Sequence, residues 1–95
     1  MPFFGEHRIM ACSRDEMERW LRELAPNNLV VRRDGFELDA DGVRLTVEIE
    51  ELEPRRLGLI KIKSLDVRFR YPENARAAAY AWIERFDRHT LRGGG

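Results

Sequence analysis

The chain has a single cysteine, Cys12, so no intramolecular disulfide can form and a secreted disulfide scaffold is excluded. It has no CxxC pair, and neither His7 nor His89 stands at a metal-binding spacing from the other or from Cys12; no metal and no other cofactor is expected. No apolar run approaches the ~20 residues that cross a bilayer. The opening Met1-Pro2-Phe3-Phe4-Gly5-Glu6-His7 lacks both the basic stretch and the apolar core of a secretion signal. The expected setting is therefore a reducing cytoplasm, with no membrane partner and any membrane role peripheral. Internal repeats, linkers and low-complexity runs are missing too, apart from the terminal glycines. No catalytic signature is present, which favours a binding role over an enzyme.

What remains is the composition of an ordinary folded domain. Its 95 residues are 43% apolar and 36% charged, enough for one core beneath a heavily charged surface, and residues 1–95 are read as a single α+β domain. The net charge is zero but unevenly spread. Residues 1–53 carry seven basic and thirteen acidic groups, whereas residues 54–95 carry ten basic and four acidic ones. Two halves of opposite sign are expected to fold against each other and pair their charges.

Hydrophobic periodicity places the elements. Glu6 to Cys12 reads as a strand, with Ile9 and Ala11 on one side and Arg8 and Met10 on the other. Ser13 followed by Glu16 forms a capping box, and Met17, Trp20, Leu21 and Leu24 then recur on one stripe of a helix that ends at Pro26-Asn27-Asn28. From Leu29 the period becomes two. Asp34-Gly35 and Asp41-Gly42 are each expected to form a tight hairpin turn with both central residues at positive φ. Between and after them, Phe36–Ala40 and Val43–Glu50 read as strands, the second with Val43, Leu45, Val47 and Ile49 facing the core. Glu53-Pro54-Arg55-Arg56 reads as a further turn.

Residues 57–71 resemble one strand, but fifteen residues at ~3.3 Å each would span ~50 Å, about twice the gyration diameter of such a domain. A break is expected at Lys63-Ser64, where the apolar parity switches from Ile60 and Ile62 to Leu65, Val67, Phe69 and Tyr71. Such a break would return both apolar sets to one face. A last helix is expected over 73–89, with Ala75, Ala79, Trp82, Ile83 and Phe86 inward, followed by a frayed tail at about 91–95. The resulting fold is an antiparallel β-meander of four to six strands carrying two amphipathic helices on one face, in the order β-α-β-β-β-(β-β)-α.

Several residues could carry function. Cys12 lies just before a helix N-cap, where amides and the helix dipole favour a thiolate, so it is the candidate reactive thiol. Glu48 and Glu50 alternate onto the solvated sheet face, where pairing with Arg or Lys is the ordinary outcome. Arg55, Arg56, Lys61, Lys63, Arg68 and Arg70, interleaved with Phe69 and Tyr71, give the basic segment 55–70 the ingredients of a single-stranded nucleic-acid surface. Parity turns the two aromatics away from Arg68 and Arg70, however. No catalytic residue is assigned.

The tail Leu91-Arg92-Gly93-Gly94 resembles the end of ubiquitin-like modifiers and sulfur carriers, a resemblance that covers four residues. It implies a flexible Gly-Gly terminus activated as an acyl adenylate. In those proteins a strand of a β-grasp body leads into the tail, whereas here a helix precedes it and Gly95 follows. The leading expectation is a non-enzymatic interaction or assembly domain. It would meet a protein partner, or a second copy of itself, through the charged face marked by Glu48, Glu50, Lys61, Lys63, Arg68 and Arg70 or through a free sheet edge. A nucleic-acid-binding module and a thiol-dependent or sulfur-relay protein are the alternatives.

Overall fold

A computed structural model describes residues 3–92, with side chains described for 5–90. The strands are β1 (Phe3–Met10), β2 (Val30–Arg32), β3 (Gly35–Ala40), β4 (Val43–Glu51), β5 (Arg55–Leu57), β6 (Ile60–Ile62) and β7 (Leu65–Pro72). Helix α1 (Arg14–Leu24) follows β1, and helix α2 (Arg76–Arg92) follows β7 after one 3₁₀ turn at Glu73–Ala75. An antiparallel sheet in the order β1-β7-β4-β3-β2 carries both helices on one face, and β5-β6 forms a separate two-stranded ribbon.

Local chemistry explains most of these boundaries. The Ser13 side chain accepts from the Glu16 amide at 3.1 Å, and the Glu16 carboxylate accepts from the Ser13 amide at 3.0 Å, which completes the expected capping box. Asp41 and Gly42 both have positive φ, at 54° and 83°, and join Ala40 to Val43 in the expected tight turn.

The first hairpin departs from expectation by one residue. Arg32 pairs with Gly35, so Arg33-Asp34 form the turn, and neither has positive φ. Gly35 instead belongs to β3 because of crowding: a Cβ there would lie 2.0 Å from the Val47 carbonyl oxygen. The backbone of β4 approaches so closely that only glycine fits.

One apolar face of the sheet meets both helices. Leu45, Val47, Val67, Phe69 and Phe36 pack against Met17, Trp20 and Leu21 of α1 and Ala79, Trp82, Ile83 and Phe86 of α2. Phe69 stands edge-on to Phe86 at 5.4 Å between ring centroids, and Trp82 stacks on Phe86 at 5.6 Å. The two tryptophans thus belong to the helix-to-sheet core, as the stripes require.

At the edge strand β1 the alternation is as read, with Arg8 and Met10 on the helix side and Ile9 outside, 66% exposed. The strand ends at Met10 rather than Cys12, and Cys12 sits in the bend before the cap. Arg8 can occupy the helix side because its guanidinium lies 5.3 Å from the Phe69 ring centroid and is held by Glu6 and by Asp87 of α2. Burial pulls the Arg8 pKa down, but those two carboxylates outweigh it and the net direction is up.

The break at Lys63-Ser64 is present: β6 ends at Ile62 and β7 begins at Leu65. It does not return the two apolar sets to one face. Leu65, Val67, Phe69 and Tyr71 are buried, whereas residues 55–61 are all exposed and Ile62 is half-buried. Of the residues expected as a turn at 53–56, Glu53 and Pro54 lie outside any strand, whereas Arg55 and Arg56 begin the first strand of the ribbon. The last helix begins at Arg76, three residues later than expected, because Pro72 and the 3₁₀ turn occupy its predicted first turn. It continues to Arg92, so the expected tail is helical over its first two residues; Gly93, Gly94 and Gly95 lie outside the described residues. No described helix is long and apolar enough to cross a membrane.

Candidate functional site

Two surfaces hold the residues singled out by sequence, and they differ in how their charges are satisfied. The first is the open face of the sheet. Alternation brings His7 from β1, Asp66, Arg68 and Arg70 from β7, Glu48 and Glu50 from β4, and Glu37 and Asp39 from β3 onto it. Diagonal neighbours across the strands then pair. Arg70 donates to Glu48 at 2.8 Å, and His7 Nε2 lies 2.5 Å from Asp66 Oδ1. Arg68 is 3.8 Å from that same Asp66 oxygen, Arg44 reaches Glu37 at 3.3 Å, and Arg32 also pairs with Glu37. Several of these contacts join the acidic first part of the chain to the basic second part, as do Arg85 with Asp41 at 2.8 Å and His89 with Glu23 at 2.6 Å.

Glu50 faces Asp66 across the β4–β7 register beside a shallow hollow of about 220 Å³ that also includes Asp34, Glu48 and Arg68. Among the described residues, no group of three or more His, Cys, Asp or Glu side chains converges in a metal-holding arrangement. What this face can do chemically is present a charged plane most of whose groups are paired with one another, with Glu50 set against Asp66.

Cys12 lies on the covered side. It is buried, lines a cleft of about 240 Å³ with Ser13, Arg14, Glu51, Lys63 and Ser64, and its thiol pKa is pushed up to about 11 by burial and then by the nearby Glu16 carboxylate. That direction is opposite to the shift of an activated thiol: burial and Glu16 outweigh the helix dipole. Arg14 is not free to offset it, since its guanidinium donates to the Arg33 carbonyl at 2.9 Å and to the Arg32 carbonyl, and stacks over Phe36.

The second surface is the β5-β6 ribbon, and it divides the basic segment. Arg68 and Arg70 go to the sheet face with ion pairs, while Phe69 and Tyr71 are buried in the core. Arg55, Arg56 and Lys61 go to the ribbon and Lys63 to its neck, and none of the four forms an ion pair among the described residues. No aromatic side chain accompanies those four cations.

The ribbon is an excursion between neighbouring strands. Glu51 at the end of β4 pairs with Leu65 at the start of β7, and the Leu52 amide donates to the Ser64 carbonyl at 3.0 Å to close its neck. Beyond the neck, Arg55 pairs with Ile62, Arg56 with Lys61, and Leu57 with Ile60, with Gly58-Leu59 at the turn. Leu57, Ile60 and Ile62 therefore share one face with Arg55, while Arg56 and Lys61 share the other. Leu57 and Ile60 are each 65% exposed, and Leu59 at the tip is fully exposed.

Sequence reasoning identified Lys61 and Lys63 by charge but missed Leu57, Leu59 and Ile60, because an aliphatic run beside a strand break reads as core. The missed signal lay in composition: residues 55–63 hold four cations, no carboxylate and four aliphatics around a glycine. Comparison with protein-family models, with curated proteins and with solved structures finds no match for this chain.

Proposed function

We propose that this chain is a non-enzymatic interaction domain whose contact element is the projecting ribbon 55–62, with the helix-backed sheet as its rigid mount. The observation that carries this reading is the coincidence, in one short hairpin, of three exposed aliphatic side chains and three cations, Arg55, Arg56 and Lys61, that form no ion pair among the described residues. Exposed aliphatics grouped at one point are costly to solubility and mark contact sites more often than scattered ones do. The direct pairing of Arg56 with Lys61 opposes like charges across the ribbon, an arrangement that destabilises an isolated hairpin and is relieved by an anionic partner. The test is site-specific photo-cross-linking in cells, with the reactive group at Leu59 or, as reference, at Asp39 on the open sheet face. Adducts at position 59 that disappear when Arg56 and Lys61 are changed to Glu support the ribbon; adducts at position 39 alone would overturn it.

A second reading is favoured by the free edge of β1. This eight-residue strand lies at the margin of the sheet, with Ile9 exposed and a groove of about 400 Å³ between it, Trp20 and Thr90. An unpaired edge of that length is a template for pairing with a second copy. A strict monomer by sedimentation at high concentration would rule that assembly out.

A further inference from the structure

We infer that the partner of the ribbon is an anionic lipid surface, into whose interfacial layer the tip formed by Leu57, Leu59 and Ile60 inserts while Arg55, Arg56 and Lys61 lie at the phosphate level. This inference rests on the ribbon being the contact element and adds the chemistry of what it contacts.

Geometry orders the two kinds of side chain. The aliphatic residues occupy positions 57, 59 and 60 at the turn, the cations flank them on both strands at 55, 56 and 61, and Lys63 lies behind them at the neck. At ~3.3 Å per residue, Arg56 and Lys61 lie roughly 5–10 Å behind the tip, the depth to which interfacial apolar groups reach below the headgroups. Both faces of the ribbon are accessible, since every residue from Glu53 to Lys61 is exposed. Glu53 lies on the neck side of this collar, farther from the tip than Arg55.

Charge complementarity selects an anion, and the remaining observations select lipid among anions. A nucleic acid would be held by stacking on aromatic faces, and residues 55–63 contain none; the aromatics once adjacent in sequence are in the core. A protein groove would have to bind the tip by packing, yet three aliphatic side chains bury at most about 400 Å², half of the ~800 Å² per partner in a stable protein interface. A fluid bilayer needs no shape complementarity. The three ribbon cations, with Lys63 behind them at the neck, approach the Lys/Arg clusters that hold proteins to anionic leaflets, each contributing roughly a fivefold gain in partition.

The test is cosedimentation of the full chain with vesicles of phosphatidylcholine alone and of phosphatidylcholine mixed with phosphatidylserine, at about 0.1 M salt and again at about 0.5 M. Expected is retention on the anionic vesicles only, weakened by salt. Lys61→Gln should lower the partition about fivefold and Leu59→Ser roughly tenfold, with circular dichroism and the denaturation midpoint unchanged to confirm that each variant is folded. Equal retention on both kinds of vesicle would overturn the anionic requirement, and retention untouched by Leu59→Ser would overturn tip insertion. Absence of retention on anionic vesicles would overturn the lipid partner. In that case cross-links from position 59 to protein or nucleic acid leave the ribbon as the contact element with another partner, and no cross-links from that position remove both readings.

Discussion

The open sheet face and the β5-β6 ribbon are both rich in charge, yet they spend it in opposite ways. On the sheet, diagonal neighbours pair Arg70 with Glu48 and His7 with Asp66, so most of the face's charges are met within the fold even though register sets Glu50 against Asp66. On the ribbon, register sets Arg56 against Lys61, and the nearest carboxylates in sequence, Glu53 and Asp66, lie outside the hairpin. A surface whose charges are already paired offers little to a partner, because each new contact must break an old one. A surface whose charges repel each other gains by meeting an anion. Zero net charge for the chain conceals this division, which belongs to strand pairing rather than to composition.

The sharpest way to break the comparison is to remove packing from each region. Phe69→Ala opens a cavity among Trp82, Phe86 and the Arg8 guanidinium, and it should cost about 3–5 kcal/mol in urea denaturation. Changing Leu57, Leu59 and Ile60 together to Ser should alter stability by less than about 0.5 kcal/mol, since these side chains touch little. A loss of several kcal/mol in the triple variant would show that the ribbon is part of the core.

A pH series separates the covered side from the ribbon. Cys12 has its thiol pKa raised from 9.0 to about 11. A raised folded-state value means that the stability it contributes is complete below pH 9 and is lost as pH rises toward 11, where the unfolded chain ionises first. The wild type should therefore lose about 2 kcal/mol or less across that interval relative to Cys12→Ala, as measured by urea midpoints at each pH. Alkylation of Cys12 at neutral pH should also run about a hundredfold slower than that of a small thiol, from the lower thiolate fraction alone. Rapid alkylation would restore the thiol-dependent alternative.

Smaller effects test the charge pattern itself. A double-mutant cycle on Arg70 and Glu48 should return a favourable coupling of roughly 0.2–1 kcal/mol that shrinks with salt. The same cycle on Arg56 and Lys61 should return an unfavourable coupling of roughly 0.2–1 kcal/mol, also shrinking with salt. Equal signs for the two cycles would erase the distinction between the surfaces.

Much of the fold was legible because it depends on local chemistry. Ser13 with Glu16 marks a helix start through two reciprocal hydrogen bonds, and Asp41-Gly42 marks a turn through its tolerance of positive φ. The parity switch at Lys63-Ser64 located the true boundary between β6 and β7. What escaped depends on contacts distant in sequence. Gly35 reads as a turn residue, but the Val47 carbonyl claims it for a strand. Parity puts Arg8 on the side of Met10, but the sequence gives no sign that Asp87, on a helix seventy-nine positions away, holds it over Phe69.

The candidate site was legible only in part, for a related reason. Alternation placed Glu48, Arg68 and Arg70 on the open face, yet Leu57, Leu59 and Ile60 carry the same periodic signal as a core strand. Only the three-dimensional path shows that the segment leaves the sheet at Leu52, returns at Ser64 and brings no second layer with it.

The most direct test of the division between the two surfaces is a side-by-side comparison of Arg70→Gln and Lys61→Gln in both denaturation and anionic-vesicle retention. Arg70→Gln should lower stability by about 0.5 kcal/mol and leave retention unchanged, whereas Lys61→Gln should raise stability by a few tenths of a kcal/mol, about 0.3, and lower retention about fivefold. If Arg70→Gln abolishes retention while Lys61→Gln leaves it intact, the contact surface is the sheet and not the ribbon.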